Sequence, residues 1–298
     1  MGFNKRILKT GALAAAVTVV FAIFAFRAAE WSKGLNSEFV VLGQTSTGTS
    51  TGGSGTTGGT TITKVVPQIV AGSFDGNLTK YTTVIQVVNT GSSAVTVSGN
   101  FYKQDGTASS LAFTTNITAA AVANGVLSSF SLAANSVLVI TSSASASGTV
   151  AWGRVLSSGT VSVSTFFDLR DGTTNILYSR VGVAASPADM ASFVIPRVRN
   201  TTTGVDVGFA IVNTGTTAAN LTATLKDATG GTIKTKTITM AGLSHQANFT
   251  REFLELTGEP SGTNYQYIVF ESTSSTFAAM SLAIEGGTLT SFPVDKLR

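Results

Sequence analysis

The segment Val87-Val88-Asn89-Thr90-Gly91 returns as Ile211-Val212-Asn213-Thr214-Gly215, and the match continues without a gap through a full hairpin at an offset of 124 residues. Self-similarity at a fixed offset means similar folding units in tandem, so any fold for this chain has to be built twice. In the first copy Val95, Val97 and Phe101 alternate with Thr96, Ser98 and Asn100. In the second, Ala219, Leu221, Ala223 and Leu225 alternate with Asn220, Thr222, Thr224 and Lys226. Period-two alternation marks a strand with one buried face. Gly106 and Gly230 close these strands at matching positions, where a turn requires the positive φ that glycine tolerates. Weaker echoes extend the repeat: Val66-Pro67 as Ile195-Pro196, Trp152 against Tyr267, and the strand Val161 to Phe166 against Phe277 to Leu282.

Turn signals at Asn89-Thr90-Gly91, Asp105-Gly106, Asp171-Gly172 and Gly230-Gly231 separate strands about ten residues apart, a spacing that predicts antiparallel sandwiches rather than βαβ units. The composition agrees. Only 11% of residues are charged and 43% are hydrophobic, with Thr, Ser, Gly, Val and Ala prominent, a mixture suited to pleated strands and tight turns. The expected fold is therefore all-β, with two tandem antiparallel β-sandwich domains at 64–187 and 188–298. Ser186-Pro187-Ala188-Asp189 forms the joint, because Pro187 disfavours helix before it. One short helix is expected from Asn248, where Phe249, Phe253, Leu254 and Leu256 recur at helical spacing before Gly258 and Pro260 stop it. It would plug one end of the second sandwich.

Ahead of the repeats, Lys5, Arg6 and Lys9 precede an apolar stretch from Gly11 to Phe26, the order of charge and hydrophobicity found in an export signal. The residues after it offer no A-x-A cleavage site. Sixteen helical residues reach about 24 Å against a hydrocarbon core of about 30 Å. Residues 1–33 thus read equally as a cleaved signal peptide or as a membrane anchor seated by Arg27, Trp31 and Lys33. Residues 34–63 hold a Gly/Thr/Ser run, Gly43 to Thr61, interrupted by a single Gln. Such a run has no apolar side chain to offset ordering entropy, so a flexible tether is expected. Before it, Glu38-Phe39-Val40-Val41-Leu42 is a short β-prone segment. Phe39, Val40, Val41 and Leu42 are candidates for strand addition to their own sheet or donation to a neighbour's.

The entry strand Pro67-Gln68-Ile69, the hairpins Val88 to Gly91 and Val212 to Gly215, Gly182-Val183 and Phe292-Pro293-Val294 together resemble those of secreted bacterial proteins built from tandem immunoglobulin-like modules. The resemblance covers Val65 to Val294. It implies immunoglobulin-like sandwiches in the envelope or outside the cell, and it carries no catalytic residues.

Chemistry-bearing residues are few. The formal charge of +4 and pI near 9.4 come from the N-terminus: five of the 19 basic residues and one of the 15 acidic residues fall within the first 33 positions, which leaves 14 of each. A neutral remainder argues against nucleic acid as a partner. With no cysteine, disulfides, thiolate zinc sites and cysteine nucleophiles are excluded. His245 is the only histidine; it neighbours Ser244, but no Gly-x-Ser-x-Gly elbow exists, and a surface-loop position is expected. Asp168 and Asp171 form a candidate calcium pair without an EF-hand pattern, and Asp171-Gly172 also reads as a plain turn. Glu252 and Glu255 read as the solvated face of the helix. Trp152, Tyr102, Tyr178, Tyr265 and Tyr267 would suit sugar stacking if exposed, but alternation with Val150 predicts that Trp152 is buried. Asn77, Asn116, Asn200, Asn220 and Asn248 stand in Asn-x-Thr sequons, which matter only in a eukaryotic secretory route.

No catalytic site, cofactor or firm metal site is therefore expected. Three readings remain: a non-catalytic envelope or extracellular structural or adhesive protein, a carbohydrate- or protein-binding module, and a filament subunit assembled by strand donation. The membrane, through the N-terminal segment, and a surface protein or glycan are the expected partners.

Overall fold

The computed structural model describes residues 61–143, 147–285 and 288–297. The N-terminal apolar run, nearly all of the Gly/Thr/Ser run and Phe39 to Leu42 lie outside the described residues. The first sandwich comprises β1 (Ile62–Ala71), β2 (Thr79–Val88), β3 (Val95–Lys103), β4 (Phe113–Thr115), β5 (Val122–Ala123), β6 (Val126–Leu132), β7 (Val137–Ser142), β8 (Thr149–Ser157), β9 (Ser162–Asp171) and β10 (Leu177–Ala184). Its sheets run β1-β8-β3-β6-β5 and β10-β9-β2-β7-β4. The second comprises β11 (Ser192–Asn200), β12 (Asp206–Asn213), β13 (Ala219–Asp227), β14 (Thr232–Met240), β15 (His245–Phe249), the helix α1 (Thr250–Leu254), β16 (Thr263–Glu271), β17 (Phe277–Glu285), β18 (Thr288–Phe292) and β19 (Asp295–Lys296). Its sheets run β14-β13-β16-β11-β19 and β15-β12-β17-β18. All pairings are antiparallel.

The repeat survives at the level of single cross-strand pairs. Tyr102 faces Trp152 in the first sandwich, and the residues at the matching positions, Lys226 and Tyr267, face each other in the second. Phe101 with Gly153 corresponds in the same way to Leu225 with Ile268. Because the pleat has period two, this agreement fixes which residues enter each core. Val97, Phe101, Ile85 and Leu138 are buried in the first, and Leu221, Leu225, Phe193 and Phe270 in the second. Gly106 and Gly230 take φ of +87° and +90°, the turn conformation expected of them.

The repeated Val-Asn-Thr-Gly sequence does more than turn the chain. Asn89 and Asn213 are wholly buried. The Asn89 amide donates to the carbonyls of Ser93, Leu132 and Ala133 at 2.9–3.1 Å, while its Oδ1 accepts from the Gly91 N–H at 3.0 Å. Asn213 repeats the arrangement on Thr217, Met240, Ala241 and Gly215. One side chain thus fastens the β2–β3 turn to the end of β6, and its copy fastens the β12–β13 turn to the end of β14.

The helix is shorter than its apolar spacing predicts. Phe249 belongs to β15, where it pairs with Gly208, and Glu255 ends α1 in the left-handed region at φ 55°, before Gly258 and Pro260 are reached. Phe253 still packs edge-on against Phe209, 5.1 Å between ring centroids, so the helix does plug the second core.

Candidate functional site

Strands buried on one face should alternate, and β2 does. By contrast, β12 is buried at all eight positions, a pattern that requires cover on both sides. The second cover is the first sandwich. Gly208, Ala210 and Val212 of β12 point away from their own core, and being small they let another surface approach closely. Ala210, Met280 and Leu289 join Val70, Tyr81, Phe167, Leu169 and Val181 in one apolar cluster. Val212 and Ala278 join Val65 and Trp152 in a second. These two clusters form a seam between the sandwiches.

Directional bonds fix the seam's geometry. Trp152 Nε1 donates to the Leu243 carbonyl at 3.0 Å, the His245 N–H donates to the Gln104 carbonyl at 2.9 Å, and the Leu289 N–H donates to Ser179 Oγ at 3.2 Å. Ser186, in the joint, exchanges backbone hydrogen bonds with Val65 of β1 while its Oγ accepts from the Ala279 N–H of β17. Gly106 also sits here: a Cβ at that position would lie 3.0 Å from both Cβ and the carbonyl oxygen of Leu243. Tyr102 stacks on Trp152 with centroids 4.5 Å apart, and Arg154 donates from Nη2 to the Tyr102 hydroxyl at 2.7 Å. Trp152 is fully buried, as its alternation predicts, but the second sandwich covers it rather than its own core.

His245 corrects the surface-loop expectation. It begins β15 and is 7% exposed. Neither ring nitrogen has a hydrogen-bond partner among the described residues, and burial lowers its pKa to about 3. Ser244 Oγ donates to the Ala241 carbonyl instead. The loop reading failed because its flanks, Ser244 and Gln246, are polar, whereas pairing with Val212 of β12 and the bond to Gln104 draw the residue inside.

Asp168 and Asp171 have separate employments. Asp168 is 2% exposed and accepts from Arg170 at 2.9 Å and from Arg180 at 2.5 and 2.7 Å. Burial alone would raise its pKa, but the hydrogen bonds and charges of Arg180 and Arg170 outweigh burial and hold it below the usual carboxylate range. Asp171 Oδ1 accepts the N–H groups of Thr173 and Thr174, and Oδ2 accepts from the Tyr178 hydroxyl. That is the plain turn reading of Asp171-Gly172, and both carboxylates have protein partners: arginines for Asp168, and backbone N–H groups and a phenol for Asp171. Glu252 and Glu255 are exposed, as expected; Glu255 accepts from Lys236 at 2.6 Å.

Alternation missed a buried ionic cluster in the second sandwich. Arg197, whose side chain is fully buried, binds both oxygens of Asp206 and lies 2.8 Å from Glu259, which also pairs with Arg199 at 3.1 Å. By the repeat, Arg197 and Arg199 stand where the first copy has Gln68 and Val70, which face the second sandwich. In the second sandwich paired charges occupy these positions instead. Two arginines on the inward positions of an otherwise apolar strand were the available signal.

No family model matches the chain, and no curated protein matches it. Among solved structures, the pilus backbone RrgB of Streptococcus pneumoniae is 9% identical, with 78% of this chain and 97% of that chain covered and a TM-score of 0.13.

Proposed function

We propose that this chain is an exported, non-catalytic structural or adhesive protein of the cell envelope or exterior, in which two sandwiches act as one rigid body. The carrying observation is the seam: apolar contacts from β1, with hydrogen bonds from β8, Gln104 and the joint, reach β12, β17 and the β14–β15 turn and join the two sandwiches more closely than loosely linked modules. The histidine and the buried carboxylates serve packing and ion pairing rather than a cleft. The cationic and apolar N-terminal sequence supports export, and the Gly/Thr/Ser sequence supports a tether between membrane and body. The resemblance to secreted tandem immunoglobulin-like proteins of bacteria supports the same reading. Labelling intact cells that produce the full chain with a membrane-impermeant lysine reagent tests it. Labelling before lysis is expected; a chain that reacts only after lysis rejects export.

A second reading, glycan binding, is favoured by Tyr265, 68% exposed, which shares one face of β16 with Tyr267, two residues on. Adjacent same-face tyrosines about 7 Å apart suit stacking on successive sugars. Binding on a glycan array that Tyr265→Ala abolishes would establish it, and silence across the array would remove it.

A further inference from the structure

The seam is not packed solid. A cavity of about 50 Å³, part-open to solvent, lies between the sandwiches, room for a few heavy atoms on a scale where one water needs about 10–15 Å³. Val70, Phe167, Ala210, Met280 and Leu289 supply apolar walls from both sandwiches. Tyr81 also lines it; that residue is 8% exposed, and its hydroxyl is buried with no hydrogen-bond partner among the described residues. A buried tyrosine hydroxyl normally has a partner, because leaving one unsatisfied costs about 1–3 kcal/mol.

We propose that this cavity is a binding site for a neutral amphiphile, a molecule with one hydroxyl-like head that bonds to Tyr81 and a short aliphatic tail that lies against Met280 and Leu289. The lining decides the class. It carries no cation to balance an anionic head, and a charge brought in from water without a partner is costly. A purely apolar guest would leave the hydroxyl unbonded. Gln68, at the same wall, supplies an amide as a second polar group for an oxygen-bearing head. Because the walls come from both sandwiches, an occupant also bridges them, and binding and seam closure are linked.

The methionines make the test internal. The full-length protein carries four; Met280 lines the cavity, while Met190 and Met240 lie in the second core. Titration of methyl-labelled full-length protein with 1-butanol should shift the Met280 methyl resonance saturably and leave Met190 and Met240 in place. The matched apolar probe 1-chlorobutane should bind several-fold more weakly. Tyr81→Phe should weaken 1-butanol binding about three- to tenfold, the effect of one hydrogen bond. An unmoved Met280, or linear shifts of all three methionines together, overturns the site. Equal affinity for the two probes in the unsubstituted protein overturns the hydroxyl-directed class even if Tyr81→Phe does not fold.

Discussion

At the scale of single residues, His245 is where composition and environment disagree most. Its imidazole is buried with neither nitrogen hydrogen-bonded among the described residues, and folding therefore favours the neutral ring: the pKa falls from an ordinary value near 6.5 to about 3. Stability from this residue is fully present above pH 6.5 and is lost as pH falls from there toward 3, because the unfolded chain takes up the proton first. The loss should be on the order of 3 kcal/mol by pH 4. As the chain has one histidine, and Asp168 titrates only below the usual carboxylate range, a slope between pH 6.5 and 4.5 reports mainly on His245. Denaturant midpoints should decline across that window, and His245→Leu should flatten the decline. A slope unchanged in the variant would place its origin elsewhere. Tyr81 obeys the same physics with the opposite sign, since burial, and then the charge of Asp75, push its pKa up.

At the scale of elements, the buried asparagines show why one turn sequence is kept in both copies. Asn89→Ala or Asn213→Ala strips partners from three carbonyls and one N–H at once, and each buried group left unsatisfied costs about 1–3 kcal/mol before relaxation. We expect roughly 2–4 kcal/mol of destabilisation in whichever sandwich carries the change, measured by urea unfolding. A loss within 0.5 kcal/mol, the range of a surface change, would mean water replaces the amide. Strand positions, registers and both hairpins were legible because β3 and β13 each bury one face, and a period of two is visible in a dozen residues. What covers a second face is not visible that way. The runs Val207 to Val212 and Phe277 to Met280 lack polar alternation, which signals cover without naming its source. Inward arginines at 197 and 199 likewise gave no sign that their acidic partners lie at 206 and 259. Helical spacing at Phe249 misled because β pairing with Gly208 claims that residue first.

At the scale of the whole molecule, the seam separates two properties that a repeat sequence leaves joined: whether each module can fold, and whether each stays apart. Ala210→Glu places a carboxylate on the outward face of β12 without touching either core. It should open the seam while both sandwiches keep their amide dispersion, and small-angle scattering should record a larger radius of gyration. An unchanged radius would mean that the polar bonds at Leu243, Gln104 and Ser179 hold the body closed without apolar contact. Collapse of both spectra would mean that neither module stands without the other. The seam also imposes an order in time. Its first-sandwich half is complete by Val183, whereas Leu289 is made 106 residues later, a delay of roughly 5–20 s at ordinary rates of synthesis. Until then Trp152, Phe167 and Tyr81 lack the residues of the second sandwich that complete their cover in the finished fold.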